Sequence, residues 1–118
     1  MHELSFAQQV LDGVLREAEA YPGCRIVRVR LRAGEMLALE PASLRFCLDA
    51  IAVGTAMEGA VIEMEEEPLA LDCPQCGRVP AAGRMDPVCP KCGQPGVVAP
   101  ATDLIIEEIE LDEQDGQT

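Results

Sequence analysis

The sole histidine of this 118-residue chain is residue 2, in Met1-His2-Glu3, and four of its six cysteines form two pairs, Cys73-Pro-Gln-Cys76 and Cys89-Pro-Lys-Cys92. Both features are sets of metal donors, of opposite character. A histidine beside a free amino terminus offers one ion the Met1 α-amine, its own amide nitrogen and its imidazole Nδ1, closing two fused chelate rings. Such an in-plane nitrogen set suits the tetragonal preference of Ni²⁺ or Cu²⁺ better than that of Zn²⁺. Read alone, the same histidine is an accident of a loose terminus. The cysteine pairs are the stronger signal. Each Cys-x-x-Cys turn aims two thiolates at one point, and Gly77 and Gly93 after the pairs permit a turn that covers the sulfurs with backbone N–H groups. Two such knuckles meeting make a closed tetrahedral S₄ site, the preference of structural Zn²⁺.

Rival readings of the cysteines are weighed against that pattern. A redox motif of the thioredoxin kind needs one Cys-x-x-Cys on a strand–helix junction, not a duplicated pair in a Pro/Gly-rich stretch. Structural disulfides conflict with the expected cytoplasmic location. Rubredoxin-like iron shares the S₄ donor set and is separated by colour. With four protein ligands a zinc ion keeps no open position for water, so its expected task is folding rather than catalysis. The segment 69–100 is too short to fold on its own core, and the metal supplies what is missing. Cys24 and Cys47 have no partner spacing. Cys47 reads as a buried thiol on a helix stripe, and Cys24 as structural.

The elements that must carry these donors are legible in the periodicity. Residues 5–20 read as an amphipathic helix, with Ala7, Val10, Leu11, Val14 and Ala18 on one face. Ser5 and Gln8 have capping-box spacing, and Pro22-Gly23 ends the helix. Val27, Val29 and Leu31 alternate with Arg28, Arg30 and Arg32, a half-buried strand whose basic row is solvated or pairs with carboxylates of a neighbouring strand. Ala33-Gly34-Glu35 reads as a turn. Pro41 suits the first position of a second helix, with Leu44, Cys47, Leu48 and Ile51 as its stripe and Gly54 closing it. Residues 60–66 and 104–111 read as two further strands. The expected fold is α/β, a small mixed β-sheet packed with two helices, plus an inserted zinc-ribbon module. In residue terms, 1–68 and 101–112 form the α/β part, 69–100 the ribbon, and 113–118 a disordered acidic tail.

Composition narrows the function classes. Net charge is −12, and only Phe6, Tyr21 and Phe46 are aromatic. Nothing basic follows Lys91, while Asp103, Glu107, Glu108, Glu110, Asp112, Glu113 and Asp115 crowd the end. Phosphate recognition needs clustered Lys and Arg, so nucleic acid and anionic membranes are not expected partners. No apolar run reaches the roughly 20 residues of a membrane helix, and the start lacks the features of a secretory signal. Paired carboxylates, nucleophile–base sets and glycine-rich phosphate loops are absent, so no enzyme is expected.

Met-His-Glu at the start, an α/β part and a Cys-x₂-Cys-x₁₂-Cys-x₂-Cys ribbon before a last acidic strand together resemble the HypA/HybF family of hydrogenase nickel-incorporation proteins. The resemblance runs from Met1 to about Asp112 and includes Ile26–Glu35, Ser43–Cys47 and Gly59–Glu66. It implies a nickel metallochaperone that acquires Ni²⁺ at its amino terminus and delivers it to the large-subunit precursor of a [NiFe] hydrogenase. Such proteins work with the GTPase HypB, and some members also serve urease maturation. His2 then matches the nickel ligand, with Glu3 beside it. Cys73, Cys76, Cys89 and Cys92 match the zinc ligands. Glu40 falls where some relatives carry an acidic residue near the nickel, and it equally precedes the helix at Pro41. Some relatives use a second histidine, and this chain has none. Because protons must leave amine, amide and imidazole, nickel binding is expected to weaken as pH falls below neutral.

Overall fold

The computed structural model describes residues 2–81, 87–99 and 103–113. Helix α1 spans His2–Ala18 and strand β1 Cys24–Gly34. Helix α2 spans Pro41–Ile51, β2 Val61–Glu67, β3 Ala70–Cys73, β4 Gly77–Pro80, β5 Val97–Val98 and β6 Ile105–Glu113. One three-stranded sheet has the order β2-β1-β6, and a second has the order β4-β3-β5. In the first, β1 runs parallel to β2 and antiparallel to β6, so the sheet is mixed. The parallel pair demands a crossover rather than a hairpin, and α2 supplies it.

Both helices cover one face of this sheet. Ala7, Val10, Leu11 and Val14 of α1 meet Leu44 and Leu48 of α2 and Ile26, Val29, Leu31 and Ile62 of the strands in a single buried cluster. With so few aromatics the core is aliphatic, as expected. Gly13 permits a close approach, since a Cβ there would stand 3.0 Å from the Ile106 side chain. The other face of the sheet carries the basic row of β1. Arg28 reaches Glu110 at 3.0 Å and Glu63 at 3.3 Å. Arg30 reaches Glu108 at 2.8 Å, and Arg32 pairs with Glu107 and Glu67. The basic strand thus lies between two acidic ones, and its arginines, still partly solvated, form the cross-strand pairs that were one of the two readings.

Several boundaries differ from the periodicity reading. Helix α1 begins at His2, so Ser5 lies inside it and the Ser5–Gln8 capping box does not form. Gln8 instead donates to Asp12 at 3.1 Å, one helical turn on. The stretch read as a turn at Ala33-Gly34-Glu35 is split: β1 continues to Gly34 and a 3₁₀ turn occupies Glu35–Leu37. β1 keeps its pairing there because β2 extends to Glu67 beside it. Val27 is only half-buried, since the register with β6 steps between Ile26 and Arg28, a bulge that takes Val27 out of the alternation. β6 runs to Glu113, paired with Cys24, one residue into the stretch expected to be disordered. The rest of that stretch, 114–118, lies outside the described residues. No helix among the described residues is long and apolar enough to cross a membrane.

The second sheet is antiparallel, with Leu71 opposite Val79 and Val98. Its buried cluster is only Leu71, Cys73, Val79 and Cys89. Asp72 and Arg78 face each other across β3 and β4 in a two-pronged pair at 2.7 and 2.9 Å. That pair holds the Asp72 carboxyl below its ordinary range. The two sheets are joined at the end of β1. There the Glu35 carboxylate accepts from the backbone N–H of Leu69, just before β3.

Candidate metal centres

Ring closure by β3 and β4 brings the first knuckle to the second. The ligand sulfurs of Cys73, Cys76, Cys89 and Cys92 all lie within 4.8 Å of one another, and Cys73 Sγ stands 3.6 Å from Cys92 Sγ. Sulfurs bound at ~2.3 Å around a tetrahedral centre stand roughly 3.8 Å apart, so the four thiols fit one ion. The glycines do what the spacing demands. Gly77 has φ 80° and Gly93 φ 77°, a left-handed backbone that costs a residue with Cβ but not glycine. That turn points backbone N–H groups at sulfur. Gln75 N–H donates to Cys73 Sγ at 3.4 Å, and the N–H groups of Cys92 and Lys91 reach Cys89.

Electrostatics of the cluster are those of a cation site. Backbone donors stabilise the Cys89 thiolate and bring it down to about 7. Neighbouring sulfurs, Cys92 first, push Cys76 up to about 12. Four thiolates at this spacing cannot all ionise without positive charge between them. Cys73 and Cys89 are buried while Cys76 and Cys92 face solvent. Each knuckle therefore contributes one inner and one outer sulfur. Cys47, expected to be a buried thiol, is only half-buried against the aliphatic core, and Cys24 is half-buried at the start of β1. Neither belongs to the cluster.

In the helical layer His2 is the first residue of α1, and its side chain is 52% exposed. Met1 lies outside the described residues. Glu3 follows on the helix, its side chain only 14% exposed. Its Oε2 lies 3.6 Å from His2 Nε2 and accepts from the Glu40 N–H at 3.1 Å. The Glu40 donor, ahead of the smaller effect of His2, holds the Glu3 carboxyl below its ordinary range. Glu40 is the N-cap of α2. Its carboxylate accepts from Ala42 N–H at 2.9 Å, with Pro41 starting the helix. Glu40 thus does precede and cap the helix. Phe6 meets the His2 ring edge-on, centroids 6.1 Å apart.

Two of these partners escaped the sequence reading. Phe6 is four residues from His2, the spacing of neighbours on a helix face, and would have been found had the helix been started at His2. Glu40's peptide N–H carries no sequence signal, because any residue but proline offers one.

Comparison with known proteins places this arrangement. The family model described as hydrogenase/urease nickel incorporation, metallochaperone, hypA matches residues 1–111. A hydrogenase maturation factor HypA of Beijerinckia indica subsp. indica is 38% identical over 94% of this chain and 99% of its own length. One from Archaeoglobus fulgidus is 37% identical over 92% and 96% respectively. The solution structure of the Ni metallochaperone HypA from Helicobacter pylori superposes with TM-score 0.63 at 18% identity. That match covers 94% of this chain and 97% of the other, and it speaks for the fold. The chain accordingly belongs to the HypA family of hydrogenase/urease nickel-incorporation metallochaperones.

Proposed function

We propose that this protein carries Ni²⁺ on Met1, His2 and Glu3 and delivers it to the large-subunit precursor of a [NiFe] hydrogenase, in company with a HypB-type GTPase. The observation that supports the reading best is the position of His2 at the first turn of α1, exposed and ahead of every intrahelical bond. The first N–H groups of a helix have no partner within it. Nickel can therefore replace the His2 amide proton without breaking a helical hydrogen bond. The positive end of the helix dipole favours loss of that proton. With the Met1 amine, the His2 amide and Nδ1 as donors, one or more positions stay open. An incoming ligand of the acceptor can then bind before the old ones leave, which is what a carrier needs. The reading includes no catalysed reaction.

The four cysteines serve a different end in this reading. Cys73, Cys76, Cys89 and Cys92 hold Zn²⁺, which cross-links the two knuckles and takes no part in transfer. Residues 1–68 with 101–112 form the nickel-binding domain, and 69–100 the ribbon. Thiolate chemistry also accommodates iron, and metal analysis with a visible spectrum separates the two.

The test uses untagged protein with its zinc. His2→Ala, or extra residues placed before Met1, is expected to abolish nickel binding while zinc content and secondary structure stay at wild-type levels. Undiminished nickel uptake by the extended protein would sink the chelate. In a hydrogenase-producing host, His2→Ala is expected to leave the large subunit without nickel. Normal metallation would favour a zinc-ribbon adaptor instead.

A further inference from the structure

We propose that the outer edge of β6, with the groove between it and α1, is a docking site for an extended segment of a partner protein in which apolar and basic residues alternate, added to the first sheet as a fourth strand. β6 is the last strand of the order β2-β1-β6, and among the described residues no strand pairs with its outer side. Its nine residues, Ile105–Glu113, include no proline or lysine of the kind that blunts an exposed edge. A row of peptide N–H and C=O groups is therefore left open, and an extended chain can pair with it.

The surroundings of that edge select the occupant. A cavity of about 500 Å³ lies between the second half of α1 and β6, within the roughly 300–1,000 Å³ of pockets that bury a ligand. Ile106, Ile109 and Leu111 line it together with Tyr21, and all four remain partly exposed. Side chains of an added strand alternate between faces, so every second one enters this groove, where apolar residues fit. The others lie on the helix-free face beside Glu108 and Glu110. There β1 already displays the matching pattern from the inner side: Arg30 meets Glu108 at 2.8 Å and Arg28 meets Glu110 at 3.0 Å. Each contact uses Oε1 of the glutamate, and the second oxygen can serve the next strand over. Both arginines are shared with Glu63 of β2, so β6 keeps an excess of negative charge. In the cavity wall, too, Arg16 is set against Glu17, Glu107 and Glu108. A second copy of this chain presents another acidic β6, and like charges placed opposite each other repel. A basic alternating strand meets opposite charge instead.

The experiment uses zinc-loaded, full-length protein without nickel, so its outcome is independent of the nickel reading. The probe is a fluorescent peptide, Val-Arg-Val-Arg-Leu-Arg, the sequence of residues 27–32. Its control has the same residues in blocks, Val-Val-Leu-Arg-Arg-Arg. Fluorescence anisotropy is expected to give the alternating peptide about tenfold tighter binding than the control, the worth of two or three cross-strand pairs. Amide hydrogen exchange is expected to show new protection within 105–113 when that peptide is bound. Glu108→Gln combined with Glu110→Gln, checked for zinc content and circular dichroism, should weaken binding about fivefold and flatten its salt dependence. No binding, equal binding of the two peptides, or binding without new protection in 105–113 overturns the proposal. Protection of 105–113 in the peptide-free protein that rises with concentration, together with a dimeric mass in sedimentation, gives the edge to a second copy and overturns it as well.

Discussion

The helical layer and the cysteine module solve the same problem, closing a small fold, with different materials. In the first, among the described residues, thirteen buried side chains from α1, α2, β1, β2 and the connection between α2 and β2 form one apolar cluster, from Ala7 to Ile62. In the second, the buried cluster has four members, and two of them, Cys73 and Cys89, are thiols. Burial of apolar area at about 25 cal/mol per Å² can hold the first together. It cannot hold the second, where Leu71 and Val79 are the only buried aliphatics of the cluster. The ends proposed to hold metal differ in parallel. Two of the four sulfurs are inside and shielded by backbone N–H groups, whereas His2 stands at a helix tip, half in solvent. A closed donor set keeps its ion, and an open one can pass it on.

Metal withdrawal should break that comparison most visibly. A strong chelator, or Cys73→Ser or Cys89→Ser, is expected to unfold β3, β4 and β5 while α1, α2 and the first sheet persist. Amide hydrogen exchange would show protection lost in 70–80 and retained in 26–33. Uniform loss across both regions would mean that the layer depends on the ribbon. Leu44→Ala is expected to do the converse. A fully buried leucine between the helices costs about 2–5 kcal/mol when truncated, read as a lower midpoint in denaturant. The protein should still take up zinc.

Smaller effects sharpen the contrast at the surface. Glu40→Ala removes the α2 cap, and a lost cap costs about 1 kcal/mol, measurable as a lower Tm that Glu40→Ser restores. The Glu3–Glu40 tie has a defined pH window. Because the hydrogen bond lowers the folded value of Glu3, its stabilisation is complete above the ordinary glutamate range, ~4.3. It is lost as pH falls through the lowered folded value. Wild type and Glu3→Gln should therefore differ in Tm near neutrality and converge in acid. A gap that persists in acid would rule out the carboxylate as its source. Least of all, Arg30→Ala removes one exposed rung of the arginine ladder and should cost under about 1 kcal/mol, less again in high salt.

Periodicity and spacing carried a large part of this structure. The stripe Ala7, Val10, Leu11, Val14 demanded a helix packed on one face, and the Val/Arg alternation demanded a half-buried strand, because side-chain direction repeats every 3.6 or 2 residues whatever lies nearby. Two Cys-x-x-Cys-Gly knuckles required left-handed glycines and converging sulfurs, since the turn is built from adjacent residues. Start and stop points were less legible. Ser5 has cap chemistry, but a cap forms only if the preceding residues leave the helix, and His2–Leu4 do not.

What the chain alone determined, then, was local: two helices, the strands, and donors grouped within a few residues. What only the tertiary structure decided was pairing over distance. The acidic strands β2 and β6 flank β1, from 33 residues away (Arg28 and Val61) to 89 (Cys24 and Glu113), and so turn a basic row into a neutralised ladder. The peptide of Glu40 meets Glu3 across 37 positions. A backbone N–H is the same at almost every residue, so nothing in the letters of the sequence marks the one that will be held. The fold selects it by bringing the start of α2 against the start of α1.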